Sequence, residues 1–257
     1  MRVGILVAFT SKTCNYKSQD EFVAYASLLP SLLRTMCAEH NVTVYFGYDA
    51  GDPFVESLVP DNPEASRLQF ELHVRQWVAK RSTSSTPCKF NVQVHRIQNP
   101  HMSSPCFAWN ALFEIAMQHK CDYVLQCGDD IIIHNAEWLQ LFIAELRKHD
   151  NIGLVGGYSQ NGRIITQAFV SHKHWDIFGY LFHPEFNTWW SDDWINEVYM
   201  PARRYWLKHV VITNAVCYAG DAKGASRYIV DRTDKDKLAP LVKMGQEQVA
   251  AYIAKNK

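Results

Sequence analysis

Residues 121–135 read CDYVLQCGDDIIIHN. Tyr123, Val124 and Leu125 before the acidic pair, and Ile131, Ile132 and Ile133 after it, are suited to burial, yet Asp129 and Asp130 stand between them. Burying an unpaired carboxylate costs several kcal/mol or shifts its pKa, so something must offset that charge. Upstream, FNVQVHRI (90–97) alternates as a strand and FAWNALFEIAMQHK (107–120) carries the periodicity of an amphipathic helix. DYVLQC (122–127) then completes a strand–helix–strand rhythm. That rhythm delivers the twin aspartates to a strand's carboxyl end, where open α/β sheets bind ligands.

The remaining chain extends the same alternation. Val3 to Phe9 is a continuous apolar run, as expected of a strand buried on both faces, and SKTCNYKSQD (11–20) is a polar loop. Phe22, Tyr25, Leu28, Leu29, Leu32, Leu33 and Met36 predict a helix between Glu21 and Glu39 that Pro30 should kink or divide. NVTVYFGYDAGDP (41–53) reads as a strand ending in turn residues, 64–80 as a helix and AKRSTSSTPCK (79–89) as a loop. A helix over 136–150, a strand in NIGLVGGYS (151–159), a last strand in VVITNAVCYAG (210–220) and a helix near 236–254 follow. The stretch from Trp175 to Trp206 is dense in aromatics and short on periodicity, which suggests a recognition region. The expectation is one α/β domain with a mainly parallel central sheet flanked by helices. Its parts are a ligand-binding segment over about 1–135, a second segment over about 136–235 and a helical tail over 236–257.

Composition limits the partners. Lysine plus arginine total 26, as do aspartate plus glutamate, so no global field recruits nucleic acid or an anionic membrane, although a local basic cleft stays open. Seven scattered cysteines without a C-x-x-C suit neither a zinc knuckle nor a disulfide framework and point to reduced thiols in a cytoplasm. The opening MRVGILVAFTSK is too short for a membrane span and lacks a small-residue cleavage site, so no transmembrane segment is expected. Asn41-Val42-Thr43 fits the glycosylation pattern but reads as the entry to a strand.

Adjacent carboxylates repel unless a proton or cation neutralises them, and hard oxygen ligands suit Mg²⁺ or Mn²⁺ shared with a substrate diphosphate. The plainer reading is a turn pair that binds nearby backbone N–H groups. Gly-Asp-Asp also occurs in RNA-dependent polymerases, but this chain is short and lacks their basic balance. A first strand ending in polar residues, a second ending in an acid, and a strand–helix–strand unit delivering the aspartates together resemble the nucleotide-sugar glycosyltransferases of the GT-A fold. The order of elements matches over about residues 1–200. Only the aspartate motif is specific: that family writes it D-x-D, often D-x-D-D, whereas Cys127 stands here at the first acidic place.

The resemblance implies a Mn²⁺ or Mg²⁺ cofactor, with Asp130 as metal ligand and Asp129 as a ribose or outer contact. It places Thr10 and Ser11 at the nucleotide base, Asp49 on the base's N–H edge and Asn110 on the helix preceding the motif, next to Trp109 where the family often has arginine. His209 would complete the metal shell. The donor would be a nucleoside diphosphate sugar, a UDP-sugar before a GDP-sugar, and the acceptor a glycan or glycoconjugate.

A second signal is FNTWWSDDWINEVY (186–199). Ser191 can N-cap a helix with Asp192 and Asp193 in its first turn, and good capping alone would account for both acids. Trp189, Trp190 and Trp194 around them are rings able to stack on a sugar. By resemblance to inverting enzymes Asp193 is the base, with Asp192 in reserve. His172 and His174 in SHKHWD would share a face if that segment is a strand, and could meet an acceptor or a metal; such histidines are more often surface or core residues. Lys223, Arg227 and Arg232 could lie over a diphosphate, or form a solvated charged face. The expected activity is metal-dependent glycosyl transfer with inversion. The alternatives are a sugar-nucleotide nucleotidyltransferase, although FTSKTCNYK (9–17) lacks that class's glycine-rich loop, and a non-catalytic carbohydrate-binding protein on the same fold.

Overall fold

The computed structural model describes residues 1–12, 14, 16–36, 40–82, 90–101, 104–215 and 232–256. Strand β1 (Arg2–Ala8) leads through two single-turn 3-10 segments to helix α1 (Leu28–Thr35), β2 (Asn41–Asp49), α2 (Pro63–Arg81) and β3 (Phe90–Ile97). Then come α3 (Pro105–Gln118), β4 (Tyr123–Gly128), a short β5 (Ile131–Ile133), α4 (Trp138–Arg147) and β6 (Leu154–Tyr158). The chain finishes with β7 (Phe169–Ser171), α5 (His172–Phe178), α6 (Ser191–Val198), β8 (Arg204–Asn214) and α7 (Lys235–Lys255). The eight strands are ordered β3-β2-β1-β4-β7-β6-β8-β5. The first four are parallel, as are β6 and β8, while β7 and β5 pair antiparallel with their neighbours.

Alternation sorts the core into two layers. Val3, Ile5 and Val7 of β1, with Val42, Val44 and Phe46 of β2, pack toward α1, α2 and α4, whereas Leu6 and Tyr45 face α3. Beyond β4 that second layer also receives α5, α6 and α7, through Phe178, Trp194, Val198 and Val249. Gly47 lets α3 lie close: a Cβ there would stand 3.0 Å from Leu112. Pro30 occupies the first turn of α1, where a missing N–H costs nothing, so it starts a helix instead of kinking one. The glycosylation-like triplet opens β2. Among the described residues no helix is long and apolar enough to cross a membrane, and Cys14, Cys106, Cys121 and Cys127 are free thiols.

Candidate active site

The parallel strands end on one edge. Register pairs Ala8 with both Gly47 and Gly128, so Thr10–Ser11, Asp49 and Asp129–Asp130 emerge side by side from β1, β2 and β4. The carboxylate that organises the first two loops is Asp52, which sequence reasoning passed over. It is 1% exposed and accepts from the Ser11 backbone N–H (2.8 Å), the Ser11 hydroxyl, the Thr10 hydroxyl (3.4 Å) and the Phe54 and Val55 N–H groups (3.3 and 3.1 Å). These bonds saturate it, so Asp52 pins the loops and Ser11 has both its donors turned inward. Its one sequence signal was the repeated acid of Asp49-Ala-Gly-Asp52.

The aspartate hairpin is held by its backbone. Ser27 Oγ donates to the Asp129 carbonyl (2.8 Å), Arg34 Nη2 to that of Ile133 (3.3 Å), and Ala215 N–H to that of Asp130 (2.6 Å). At Gly128 a Cβ would stand 2.5 Å from Asp130 Oδ1, so any side chain there would turn the Asp130 carboxylate aside. Asp129 is 1% exposed, and burial followed by its negative charge raises the pKa of Tyr16, whose ring meets Phe54 edge-on at 5.3 Å. Burial first, then Asp130 and Asp129, raise the Cys127 thiol well above its ordinary range. It stays protonated and does not replace the missing acid. Two hard carboxylates at a sheet edge fit a cation of the Mg²⁺ or Mn²⁺ kind, which takes its remaining ligands from water and phosphate oxygens. Among the described residues no group of three or more His, Cys, Asp or Glu side chains forms a closed metal cage.

Helix α3 joins this edge to the second acidic pair. Asn99 Nδ2 donates to Asp49 Oδ1 (2.9 Å) and to the Ser104 carbonyl (3.1 Å). Ser104, whose hydroxyl caps α3, donates to the Asn187 carbonyl (2.6 Å), and Cys106 Sγ contacts the Thr188 carbonyl (3.7 Å). From the same helix Trp109 Nε1 reaches the Cys127 carbonyl (3.1 Å). The result brings the 187–193 segment against the end of the strands that carry Asp49 and Asp129.

At α6 the cap differs from expectation. Trp190, in left-handed backbone (φ 69°), precedes the helix, while Ser191 Oγ turns back to the Thr188 carbonyl (3.1 Å). Asp193 pairs with Arg163 (2.8 Å), another residue not foreseen. Asp192 is pushed up to about 7 by burial and then by Asp193. The half-buried Trp189 and Trp190 rings lie under cations, Arg232 at 4.3 Å and Lys235 at 5.9 Å. Lys223 and Arg227 lie outside the described residues.

Five expected site residues take other work. Asn110 accepts from the Leu181 and Phe182 N–H groups (3.0 and 2.8 Å) and donates to the Phe182 carbonyl (2.8 Å), which ties α3 to that segment instead of offering an amide to a nucleotide. Trp194 is fully buried, with Nε1 on the Leu241 carbonyl (3.3 Å). His174 is core too, bonded to Tyr199 Oη (2.8 Å) and the Leu181 carbonyl (3.0 Å), and burial lowers it to about 4. His172 opens α5, and its N–H meets the Asp122 carbonyl (2.9 Å) at the far end of β4, about 20 Å of strand from Asp129. The exposed His209 lies on β8, where its carbonyl accepts from Asn135 Nδ2 (3.2 Å) on the chain that leaves β5.

No family model and no curated protein sequence matches the chain. Solved structures do. A structure of S. aureus TarS residues 1–349 in complex with UDP-GlcNAc superposes with a TM-score of 0.55 at 16% identity, covering 95% of this chain and 66% of that one. GalNAc-T7 with UDP, GalNAc and Mn²⁺ gives 0.53 at 9% identity, covering 88% and 46%. The fold is that of the GT-A glycosyltransferases. This GT-A chain spans from 37% to 66% of the TarS chains it matches.

Proposed function

We propose that this chain is a metal-dependent glycosyltransferase. It moves a sugar from a nucleoside diphosphate donor, a UDP-sugar before a GDP-sugar, to a hydroxyl of a glycan or glycoconjugate, with inversion. The observation that carries the reading is the Asp129–Asp130 hairpin fastened at the carboxyl edge of β4 beside the Thr10–Asp52 and Asp49–Asn99 loops. Its support from outside is a GT-A fold shared with structures that hold UDP, UDP-GlcNAc, and UDP with Mn²⁺.

Asp130, with Asp129 beside it, would hold Mn²⁺ or Mg²⁺, and the bound cation would neutralise charge on the leaving diphosphate. Thr10 and Asp49 receive the base between the ends of β1 and β2. Trp189 and Trp190 shape the acceptor side, and one carboxylate of α6 takes the proton of the attacking hydroxyl. Attack from the side opposite the diphosphate inverts the anomeric carbon. The donor part is accordingly about 1–135 and the acceptor part about 136–235.

Calorimetry with UDP and GDP, with and without Mn²⁺, followed by a donor panel assayed for hydrolysis and transfer, tests this. Metal-dependent UDP binding together with turnover of at least one donor is expected. Binding without turnover of any donor would leave the non-catalytic carbohydrate-binding reading, and absence of both would end the proposal.

A further inference from the structure

A cavity of about 640 Å³ lies between α1, α2 and the 3-10 turns that precede α1. That is the size of a small-molecule site, too large for a lone inorganic ion. Phe22, Tyr25, Leu33 and Trp77 form an apolar wall, on which Tyr25 and Trp77 stack at 4.8 Å and 10°. Asp20 and Glu21 line one end and already have contacts: Asp20 Oδ1 is 3.3 Å from His73 Nε2, and Glu21 Oε2 accepts the Lys17 N–H (2.8 Å). His73 precedes Arg81 by eight residues of α2, about 12 Å of helix, so Arg81 stands toward the other end. Arg34, in the last turn of α1, lines the cavity as well. Among the described residues neither guanidinium is paired with a carboxylate. Arg81 lies over the Trp77 ring (4.1 Å), which leaves its N–H edge free, and the buried Tyr25 hydroxyl on the same wall has no hydrogen-bond partner. Helix dipoles alone favour cations at these two C-termini, but they give no reason for both to border one cavity beside an unpartnered hydroxyl.

Arg34 also belongs to the aspartate hairpin. Its Nη2 donates to the Ile133 carbonyl on β5, three residues beyond Asp130, and 3.3 Å is long for an N–H···O bond. Ser27, at the other end of α1, holds the Asp129 carbonyl (2.8 Å). One short helix therefore borders the cavity and fastens the hairpin. Hydrogen bonds from a guanidinium to an oxyanion are roughly twice as strong as those between neutral groups. An anion in the cavity would draw Arg34 from Ile133 and so remove one fastener.

We propose that this cavity is an effector site for an organic oxyanion, a phosphate or carboxylate on a ring-sized apolar body, and that its occupancy weakens donor binding through Arg34. The effect on the donor rests on the glycosyltransferase reading; the site itself does not. Arg34, Arg81 and the Tyr25 hydroxyl take the anion, and Phe22 and Leu33 take the body. By linkage, bound donor weakens the anion by the same factor.

Calorimetry on the full chain tests this, with 1-naphthyl phosphate and 1-naphthoate as probes and 1-naphthol and inorganic phosphate as body and anion alone. Without metal, at least one probe should bind more tightly than body or anion alone, and D130A should bind it as wild type does. R81Q should weaken it roughly tenfold, the worth of a lost hydrogen bond to a charged group. Its melting temperature and its Kd for UDP with Mn²⁺ should match wild type, since Arg81 is exposed. At rising probe concentration the wild-type Kd for UDP should climb at least about fivefold and then level off. R34Q should show a raised Kd for UDP without probe and no further rise with it. Equal probe binding by R81Q and wild type, loss of probe binding in D130A, or a Kd for UDP that ignores the probe or climbs without a plateau would overturn the proposal. A chain that binds UDP but neither probe ends the effector site alone. A chain that binds a probe through Arg81 but no UDP ends the glycosyltransferase reading and the effector role with it, leaving the cavity as a binding site.

Discussion

The half of the molecule built on β1 to β4 and the half that follows Leu154 present their carboxylates by opposite means. In the first, parallel strands in tight register carry Thr10, Asp49 and Asp129 to one edge, and each loop is fastened by backbone bonds to Asp52, Ser27 or Arg34. In the second, short elements are held by side chains that reach between segments: Asn196 to Ile165, Asn110 to Leu181 and Phe182, His174 to Tyr199. In the first half a hydrogen-bonded ladder sets the strand ends and side chains such as Asp52 and Ser27 then pin the loops, whereas the second half has little ladder and relies on buried polar side chains throughout. The first arrangement should fail at the proposed cation site and at the loop anchor Asp52; the second should fail at several single interior residues and respond to pH.

The largest effect is expected at Asp130. D130A should lower metal-dependent turnover by roughly 100-fold or more, because the proposed cation loses a direct ligand, while circular dichroism and melting temperature change little. Restored turnover at high Mn²⁺ would show a weakened site; activity equal to wild type without added metal would break the comparison at its strongest point.

Next is Asp52. D52A strands the Ser11, Phe54 and Val55 donors, and leaving such a network unsatisfied should cost about 3 kcal/mol in urea unfolding and weaken UDP binding in parallel. A mutant that keeps full stability would show that the two loops do not depend on their common anchor.

His174 and Asp192 should tilt the stability curve in opposite senses. Burial lowers His174 to about 4, below its unfolded value near 6.5, so its contribution is complete above about pH 6.5 and is lost as pH falls toward 4. Asp192 is raised to about 7, so folding favours its protonated form, and stability falls as pH rises from about 4 through 7. Melting temperatures across pH 4.5–8 should therefore drop at the acid end in wild type and flatten there in H174Q, after allowance for a general loss (pH range roughly that of the two transitions). D192N should gain most near pH 8; an equal gain at pH 5 would remove burial of its charge as the cause.

The smallest effect is at Asn99. N99A removes the link between Asp49 and Ser104, and a loss of about 1 kcal/mol in stability is expected. Its more telling readout is kinetic: KM for donor and acceptor should rise together. A change in only one would show that the two halves are set independently.

How much of this was legible in the sequence follows the same division. The strands β1 to β4 could be read because Val3, Ile5 and Val7, or Val42, Val44 and Phe46, encode burial and periodicity locally. The Asp129–Asp130 hairpin stood out because two charges broke that pattern. In the second half, composition misled. Trp194 and His174 have the side-chain chemistry of a site yet fill the core, since a buried indole or imidazole is satisfied by one or two carbonyls and hydroxyls that only tertiary structure supplies. Strand β7 has three residues, too few for period to show, and SHKHWD runs into helix α5, so His172 and His174 share no strand face. Asp52 and Arg163 escaped because their roles rest on partners 41 and 30 residues away, Ser11 and Asp193.

Gly47 sets a separation. Any side chain there must push Leu112 back by a few tenths of an ångström, because a Cβ would stand only 3.0 Å from it. Helix α3, which carries Leu112, also carries Cys106 and Trp109 and is capped by Ser104, so the displacement would be shared between the Asn187–Thr188 segment and the Cys127 carbonyl. The gap across which a sugar would have to pass is gauged by one absent methyl group, and G47A is a ruler with which to lengthen it.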